Sequence, residues 1–141
     1  MQIRFDGKTV VVSGAGHGFG RCIAQTFAGL GARVFGCDLV AVELAETAKA
    51  GVSTKLVDLT DRAAAATWIV GVEQATGGAV DVLVNNASGV AGQEMRPIEE
   101  VPDSDWDKIF AVNIGVAFTL SRAAAAGMKR ARAGRIVNML P

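Results

Sequence analysis

Eight residues, Ser13-Gly14-Ala15-Gly16-His17-Gly18-Phe19-Gly20, constrain this chain more than any other stretch. They follow the apolar, β-branched run Thr9-Val10-Val11-Val12 and precede a segment in which Ile23, Phe27 and Leu30 recur at helical spacing. The order is strand, glycine-rich turn, helix. Residues 8–12 are mostly apolar or β-branched and do not alternate, which suits a strand covered on both faces, as in a parallel sheet. A turn poor in Cβ atoms lets an anion approach the backbone. The unbonded N–H groups of the following helix, with their partial positive charge, attract that anion. The stretch therefore predicts a phosphate cradle in which Gly14, His17, Gly18, Phe19 and Gly20 take part.

The rest of the chain repeats the alternation. A second strand is predicted at 32–37, running into Asp38, after Gly31 ends the first helix in the left-handed conformation. A weaker helical pattern (Val42, Leu44, Ala45, Ala48) closes at Gly51. A third strand at 54–57 runs into Asp58-Leu59-Thr60-Asp61, where Thr60 or Asp61 can cap the helix carrying Trp68, Ile69 and Val72. Gly77-Gly78 breaks that helix, and a fourth strand at 80–84 leads into Asn85-Asn86-Ala87-Ser88-Gly89. Residues 90–103 form a loop long enough to suggest an active-site or lid role. Ser104 and Asp107 resemble a capping box. Trp106, Ile109, Phe110, Val116, Ala117 and Leu120 then mark the apolar stripe of a helix reaching to about 130. Residues 134–140 read as a fifth strand. Strand and helix in alternation demand right-handed crossovers and helices on both sides of a parallel sheet. The fold expected is a Rossmann-like, doubly wound α/β domain spanning 1–141, with strand order 3-2-1-4-5.

Composition narrows the function. Fourteen basic and fourteen acidic residues cancel, which gives no electrostatic case for nucleic acid or an anionic membrane. The cluster of Lys129, Arg130, Arg132 and Arg135 falls near a helix C-terminus, where cations complement the dipole. No contiguous apolar run approaches the length of a membrane helix, and the N-terminus has no apolar leader, so a cytoplasmic location is expected. The single histidine and the two cysteines, Cys22 and Cys37, are not at metal-ligand spacing, so no metal is expected.

Asp38, at the end of the second strand, stands where a carboxylate accepts hydrogen bonds from an adenosine ribose. It would repel a 2′-phosphate, and Leu39 beside it supplies no compensating charge, so NAD is favoured over NADP. Asn113 lies among the apolar residues of the long helix, and an amide facing a core requires a specific partner.

Taken together, these residues resemble the short-chain dehydrogenase/reductase family, and the resemblance covers residues 6–139. Ser13-Gly14-x-x-x-Gly18-x-Gly20 is similar to the family's T-G-x-x-x-G-x-G turn, with Ser for Thr. Asp58-Leu59 matches its adenine-contacting pair, and Asn85-Asn86-Ala87-Ser88 its N-N-A-G, with Ser for Gly. Asn113 falls on the family's helix asparagine, and residues 134–139 on its G-x-I-V-N-I strand. The resemblance implies that Asp58 and Leu59 hold adenine, that the Asn85 to Ala87 segment lines the dinucleotide's path, and that Asn113 organises a proton-relay water. It implies oxidation of a secondary alcohol or reduction of a ketone with NAD(P), and a homodimer through the helix at 104–130.

The departures are equally specific. The family follows its fifth strand with a serine pair, where this sequence has Leu140 and Pro141, and its Y-x-x-x-K tyrosine has no counterpart, since the chain contains no tyrosine. Among the family's catalytic residues only Asn113 is present. The expectation is a cofactor-binding part, incomplete at its C-terminus relative to the family and inactive as it stands. A non-catalytic NAD-binding regulatory module and an interaction subunit needing a partner are the alternatives.

Overall fold

The computed structural model describes residues 2–139. Leu140 and Pro141, where the family's serine pair is replaced, lie outside the described residues. Five strands, β1 (Thr9–Ser13), β2 (Arg33–Asp38), β3 (Ser53–Leu56), β4 (Val82–Asn85) and β5 (Arg135–Asn138), form one parallel sheet in the order β3-β2-β1-β4-β5. This is the expected order. The helices are α1 (Gly18–Gly29), α2 (Ala41–Ala48), α3 (Arg62–Thr76), α4 (Asp103–Phe110) and α5 (Val116–Ala131).

β1 lies at the centre, with Val11 paired to Phe35 of β2 on one side and Leu83 of β4 on the other. Its side chains alternate between two cores. Val11 joins Leu83, Trp68, Ile69, Val116, Leu120 and Ala124 beneath α3 and α5. Val10 and Val12 join Ala24, Val34 and Val84, with Ile23 and Phe27 of α1 packed against them. Every residue of β1 is buried, which is why its sequence shows no polar alternation.

Element ends differ from expectation where side chains replace ladder bonds. The fourth strand begins at Val82, not at residue 80, because the Thr9 N–H donates to the Asp81 carboxylate at 2.8 Å, beside Lys8 Nζ at 3.1 Å. Asp61 caps α3, accepting from the N–H groups of Ala63 at 3.0 Å and Ala64 at 3.1 Å, and Gly77 closes that helix in the left-handed conformation. Gly31 is also left-handed, just past α1.

The long helix departs from its predicted form in three ways. It begins at Asp103 after Pro102, and neither Ser104 nor Asp107 makes a capping box. The Pro102 carbonyl accepts from Asp105 N–H at 3.0 Å, and Asp103 and Asp105 place negative charge in the first turn. Its middle, Ala111–Gly115, is a π-turn, which shifts the phase of the apolar stripe. Val116 and Leu120 are consequently buried, whereas Trp106 and Phe110 remain 57% and 43% exposed, stacked on each other at 4.6 Å between ring centroids. Third, the continuous helix Asp103–Ala131 is long and apolar enough, on length and composition alone, to cross a membrane, although no contiguous apolar run suggested it. One side of α5, at Val116, Leu120, Ala124 and Met128, packs in the core beneath the sheet. At the sheet's edge, Ile136 and Val137 of β5 are exposed.

Candidate cofactor site

Above the carboxyl ends of the strands lies a cavity of about 360 Å³. Among the expected site residues, Gly14, His17, Gly18, Phe19, Asp38, Leu39, Asp58, Leu59 and Ala87 line it. These positions come from three strand ends and the glycine turn, so the parallel sheet is what gathers them.

The turn owes its shape to glycine at two places. Gly14 has φ +65°, and a Cβ on it would stand 2.9 Å from Ala87 Cα. A Cβ on Gly20, in the first turn of α1, would overlap the Gly14 carbonyl oxygen. Gly20 is therefore a packing residue, buried beneath the turn, and does not line the cavity. His17 precedes α1 in an extended conformation, its side chain caps no N–H, and the first turn of α1 carries no acidic residue. The first-turn N–H groups thus have no side-chain acceptor from the cap. An anion is the group that suits them.

Ser13 ties the turn to the end of β4. Its hydroxyl accepts from the Asn86 and Ala87 N–H groups, both at 3.0 Å, and donates to the Val84 carbonyl at 3.4 Å. The Asn86 side-chain amide donates to the carbonyls of Ser13 at 3.2 Å and Gly14 at 3.1 Å. Serine in place of threonine keeps the hydroxyl on which this arrangement depends.

Asp38 is half-buried, and its carboxylate accepts from Gly16 N–H at 2.9 Å and Leu39 N–H at 2.7 Å. Each oxygen retains lone-pair capacity for a further donor. Asp58, beyond the end of the adjacent strand β3, is exposed. The Thr60 hydroxyl, at 2.6 Å, and the Thr60 N–H, at 3.0 Å, hold its carboxyl below the usual carboxylate range. Burial pushes the Cys37 thiol, in the core beneath, up to about 12.

Besides Gly20, two expected residues lie outside this cavity. Asn85 is buried, and its amide donates to Asn138 Oδ1 at 2.8 Å and Ser121 Oγ at 3.1 Å, bridging β4 to β5 and α5. It does not line the main cavity. It lines a second cavity of about 360 Å³ with Asn113, Ile114, Phe118, Ser121 and Asn138. Asn113, expected to face the core, is half-exposed in the π-turn. Its amide donates to the Gly89 carbonyl at 2.8 Å and its oxygen accepts from Gly89 N–H at 3.0 Å. The same amide also reaches the Ile109 carbonyl at 2.9 Å, so the loop beyond β4 is the partner that its position called for.

Asn86, within the segment expected to line the dinucleotide's path, also borders the cavity, which further recruits residues that sequence reasoning passed over: Val57, Thr60, Ser88, and Val112 and Val116 on the long helix. Thr60 follows Asp58 at the spacing of an Asx-type turn, which is a usable signal. Val112 and Val116 carry none, because their orientation depends on the π-turn. Among the described residues, no group of three or more histidine, cysteine or acidic side chains is placed to hold a metal ion.

The glycine turn, the acidic strand end and the paired asparagines on a five-stranded parallel sheet define a nucleotide-binding α/β class. A family model described as short chain dehydrogenase matches residues 8–140, and the chain belongs to this family. It is 33% identical over 141 residues to galactitol 2-dehydrogenase of Agrobacterium fabrum, covering 97% of this chain and 54% of that protein. It is 37% identical over 148 residues to D-threitol dehydrogenase of Mycolicibacterium smegmatis, covering 98% and 54%. A metagenomic short-chain oxidoreductase crystallised in complex with NADP superposes with a TM-score of 0.84 at 35% identity, covering 95% of this chain and 62% of that one. The chain spans about half the length of the curated relatives it matches.

Proposed function

We propose that residues 1–141 form one domain that binds NAD across the cavity, as the cofactor-binding portion of an oxidoreductase acting on a secondary alcohol or ketone. The observation that carries this reading is the joint placement of an uncapped first helical turn, Gly14 without room for a side chain, and the Asp38 carboxylate around one cavity. The diphosphate would meet the N–H groups at residues 17–20. Asp38 would accept from the adenosine ribose, and Asp58, Leu59 and Thr60 would flank the adenine. Asn85, Ala87 and Ser88 would border the path toward the nicotinamide, and Asn113 would hold a relay water. When bound, the cofactor supplies hydride transfer.

Within these residues the family's proton-transferring tyrosine has no counterpart. The 141-residue chain is therefore expected to bind the cofactor without turning substrate over. The favoured substrate class, a small secondary alcohol, follows the activities for which the polyol-dehydrogenase relatives are named. The preference for NAD over NADP rests on Asp38, whose negative charge opposes a 2′-phosphate; the NADP-bound relative makes this the point to test. Calorimetric titration of the chain and of Asp38→Ala with each dinucleotide does so. NAD binding tighter than NADP in the parent, with the preference lost in the variant, supports the reading. Equal binding, or none, refutes it.

A second copy of the chain is the proposed partner of the long helix. Trp106, Phe110, Ile114 and Phe118, four residues apart, are all exposed large apolar groups. A dimer by light scattering that becomes monomeric in Phe110→Asp/Phe118→Asp supports this, and a monomeric parent refutes it.

A further inference from the structure

Behind the glycine turn, on the side away from the cavity, two side chains hold the backbone of residues 15 and 16, and a third, that of Glu43, holds one of those two. Arg21 Nε donates to the Gly16 carbonyl at 2.9 Å, and its Nη2 bonds the same oxygen. That Nη2 also pairs with the Glu43 carboxylate and reaches the Glu43 carbonyl at 3.2 Å. Thr47, which is fully buried, donates to the Ala15 carbonyl at 2.7 Å. None of the three lines the cavity.

The consequence is complete occupancy of the turn's first half. Ala15 N–H donates to the Cys37 carbonyl at 2.9 Å, and Gly16 N–H donates to Asp38. With Thr47 on the Ala15 carbonyl and Arg21 on the Gly16 carbonyl, all four backbone groups of these two residues are bonded to the protein. Gly16 is thereby gripped at both of its backbone groups, its N–H by Asp38 on the cavity side and its carbonyl, which shares a peptide plane with the His17 N–H, by Arg21 behind. The next residues, whose N–H groups are the anion donors, inherit that fixed orientation. Donors held in place before the ligand arrives cost less to organise on binding.

We propose that Arg21, Glu43 and Thr47 are positioning residues for the cofactor: they brace the glycine turn from behind so that its N–H groups are pre-aimed at the diphosphate. The proposal rests on the dinucleotide reading above. Arg21 acts through geometry and not through its charge, because Glu43 neutralises it. These two accounts differ in sign. If the charge of Arg21 attracted the diphosphate through space, removing Glu43 would strengthen binding. If Glu43 holds Arg21 on the Gly16 carbonyl, removing it weakens binding.

The test compares NAD with adenosine, which carries the ribose and base but no diphosphate. Both are titrated calorimetrically into the 141-residue chain and into Arg21→Met, Arg21→Lys and Glu43→Ala, with thermal unfolding of each. Arg21→Met is expected to weaken NAD binding about tenfold or more, the worth of a charge-assisted hydrogen bond, while adenosine binding changes little. Arg21→Lys, able to keep one bond of the fork, is expected to recover part of the loss. Glu43→Ala is expected to weaken NAD binding about threefold, as a half-exposed ion pair allows. Unchanged NAD binding in Arg21→Met, equal losses for NAD and adenosine, or tighter NAD binding in Glu43→Ala overturns the brace. Should Arg21→Met fail to fold, the Glu43→Ala result decides alone by its sign. Failure of the parent chain to bind NAD refutes the dinucleotide reading and, with it, the role of the brace toward a cofactor, whereas NAD binding that the variants leave unchanged refutes the brace alone.

Discussion

Ser13 accepts two hydrogen bonds from Asn86, one at its hydroxyl and one at its carbonyl. The Asn86 backbone N–H donates to Ser13 Oγ at 3.0 Å, and the Asn86 side-chain amide donates to the Ser13 carbonyl at 3.2 Å. The pair fastens the end of β4 to the start of the glycine turn, so the two halves of the cavity wall share one set of bonds. Ser13→Ala leaves the N–H groups of Asn86 and Ala87 without their acceptor in a buried setting, and is expected to cost about 1–3 kcal/mol. Urea unfolding of the parent and variant measures it. A change within error would show that water or relaxation satisfies both groups.

Gly20 offers a harsher test of the same geometry. A methyl group there would overlap the Gly14 carbonyl and approach the Asn86 amide, and neither can retreat without breaking the turn. Gly20→Ala is expected to destabilise the fold by about 1–3 kcal/mol through overpacking and to abolish dinucleotide binding. The thermal midpoint and a titration with NAD read the two effects separately. Gly29→Ala, at a position where an added Cβ meets nothing within 4 Å, is the control expected to lose neither.

The two cysteines differ in burial, and thiol chemistry reads that difference. Cys22 is exposed and Cys37 is buried. A thiol reagent at pH 8 is expected to modify one thiol in the native chain and two in denaturant. The raised pKa of Cys37, about 12, lies above that of an unfolded cysteine. Its contribution to stability is therefore complete below the unfolded value and is lost as pH rises toward 12. Cys37→Ala is expected to flatten the alkaline side of the stability profile relative to the parent. Rapid modification of both native thiols would contradict the packing described for β2.

Asp58 titrates in the opposite direction. Its folded pKa is depressed by the Thr60 hydroxyl and N–H, so the stability it contributes is present above the unfolded value and lost as pH falls through the folded one. Thr60→Val removes the hydroxyl and is expected to move the Asp58 carboxyl resonance midpoint upward in an NMR titration, toward the ordinary aspartate value. An unmoved midpoint would mean that the backbone N–H alone sets the shift.

Much of this architecture was legible in the residues. The glycine turn, the strand-end position of Asp38 and the caps at Asp61 and Gly77 are local signals, since each depends on backbone chemistry within a few positions. The strand order follows from alternation and crossover handedness. The π-turn at Ala111–Gly115 was not legible, because an inserted residue in a helix shifts phase without altering composition, and Trp106 and Phe110 consequently pointed to a core they do not enter. The helix start at Asp103 was hidden by a better-looking cap at Ser104. Asn85 reads as a cavity residue in sequence, yet its side chain is claimed by Asn138 and Ser121, partners 53 and 36 positions away. Arg21 and Glu43 look like ordinary surface charges until α1 and α2 bring them together.

The most direct test of the central claim follows backbone amide resonances during titration with NAD. The account predicts saturable shifts at His17, Gly18, Phe19 and Gly20, accompanied by shifts at Leu39 and at Asp58 to Thr60, with the region around Glu73 and Gly127 unmoved. No saturable shift at the glycine turn, or shifts confined to residues remote from it, would contradict a dinucleotide site in this cavity.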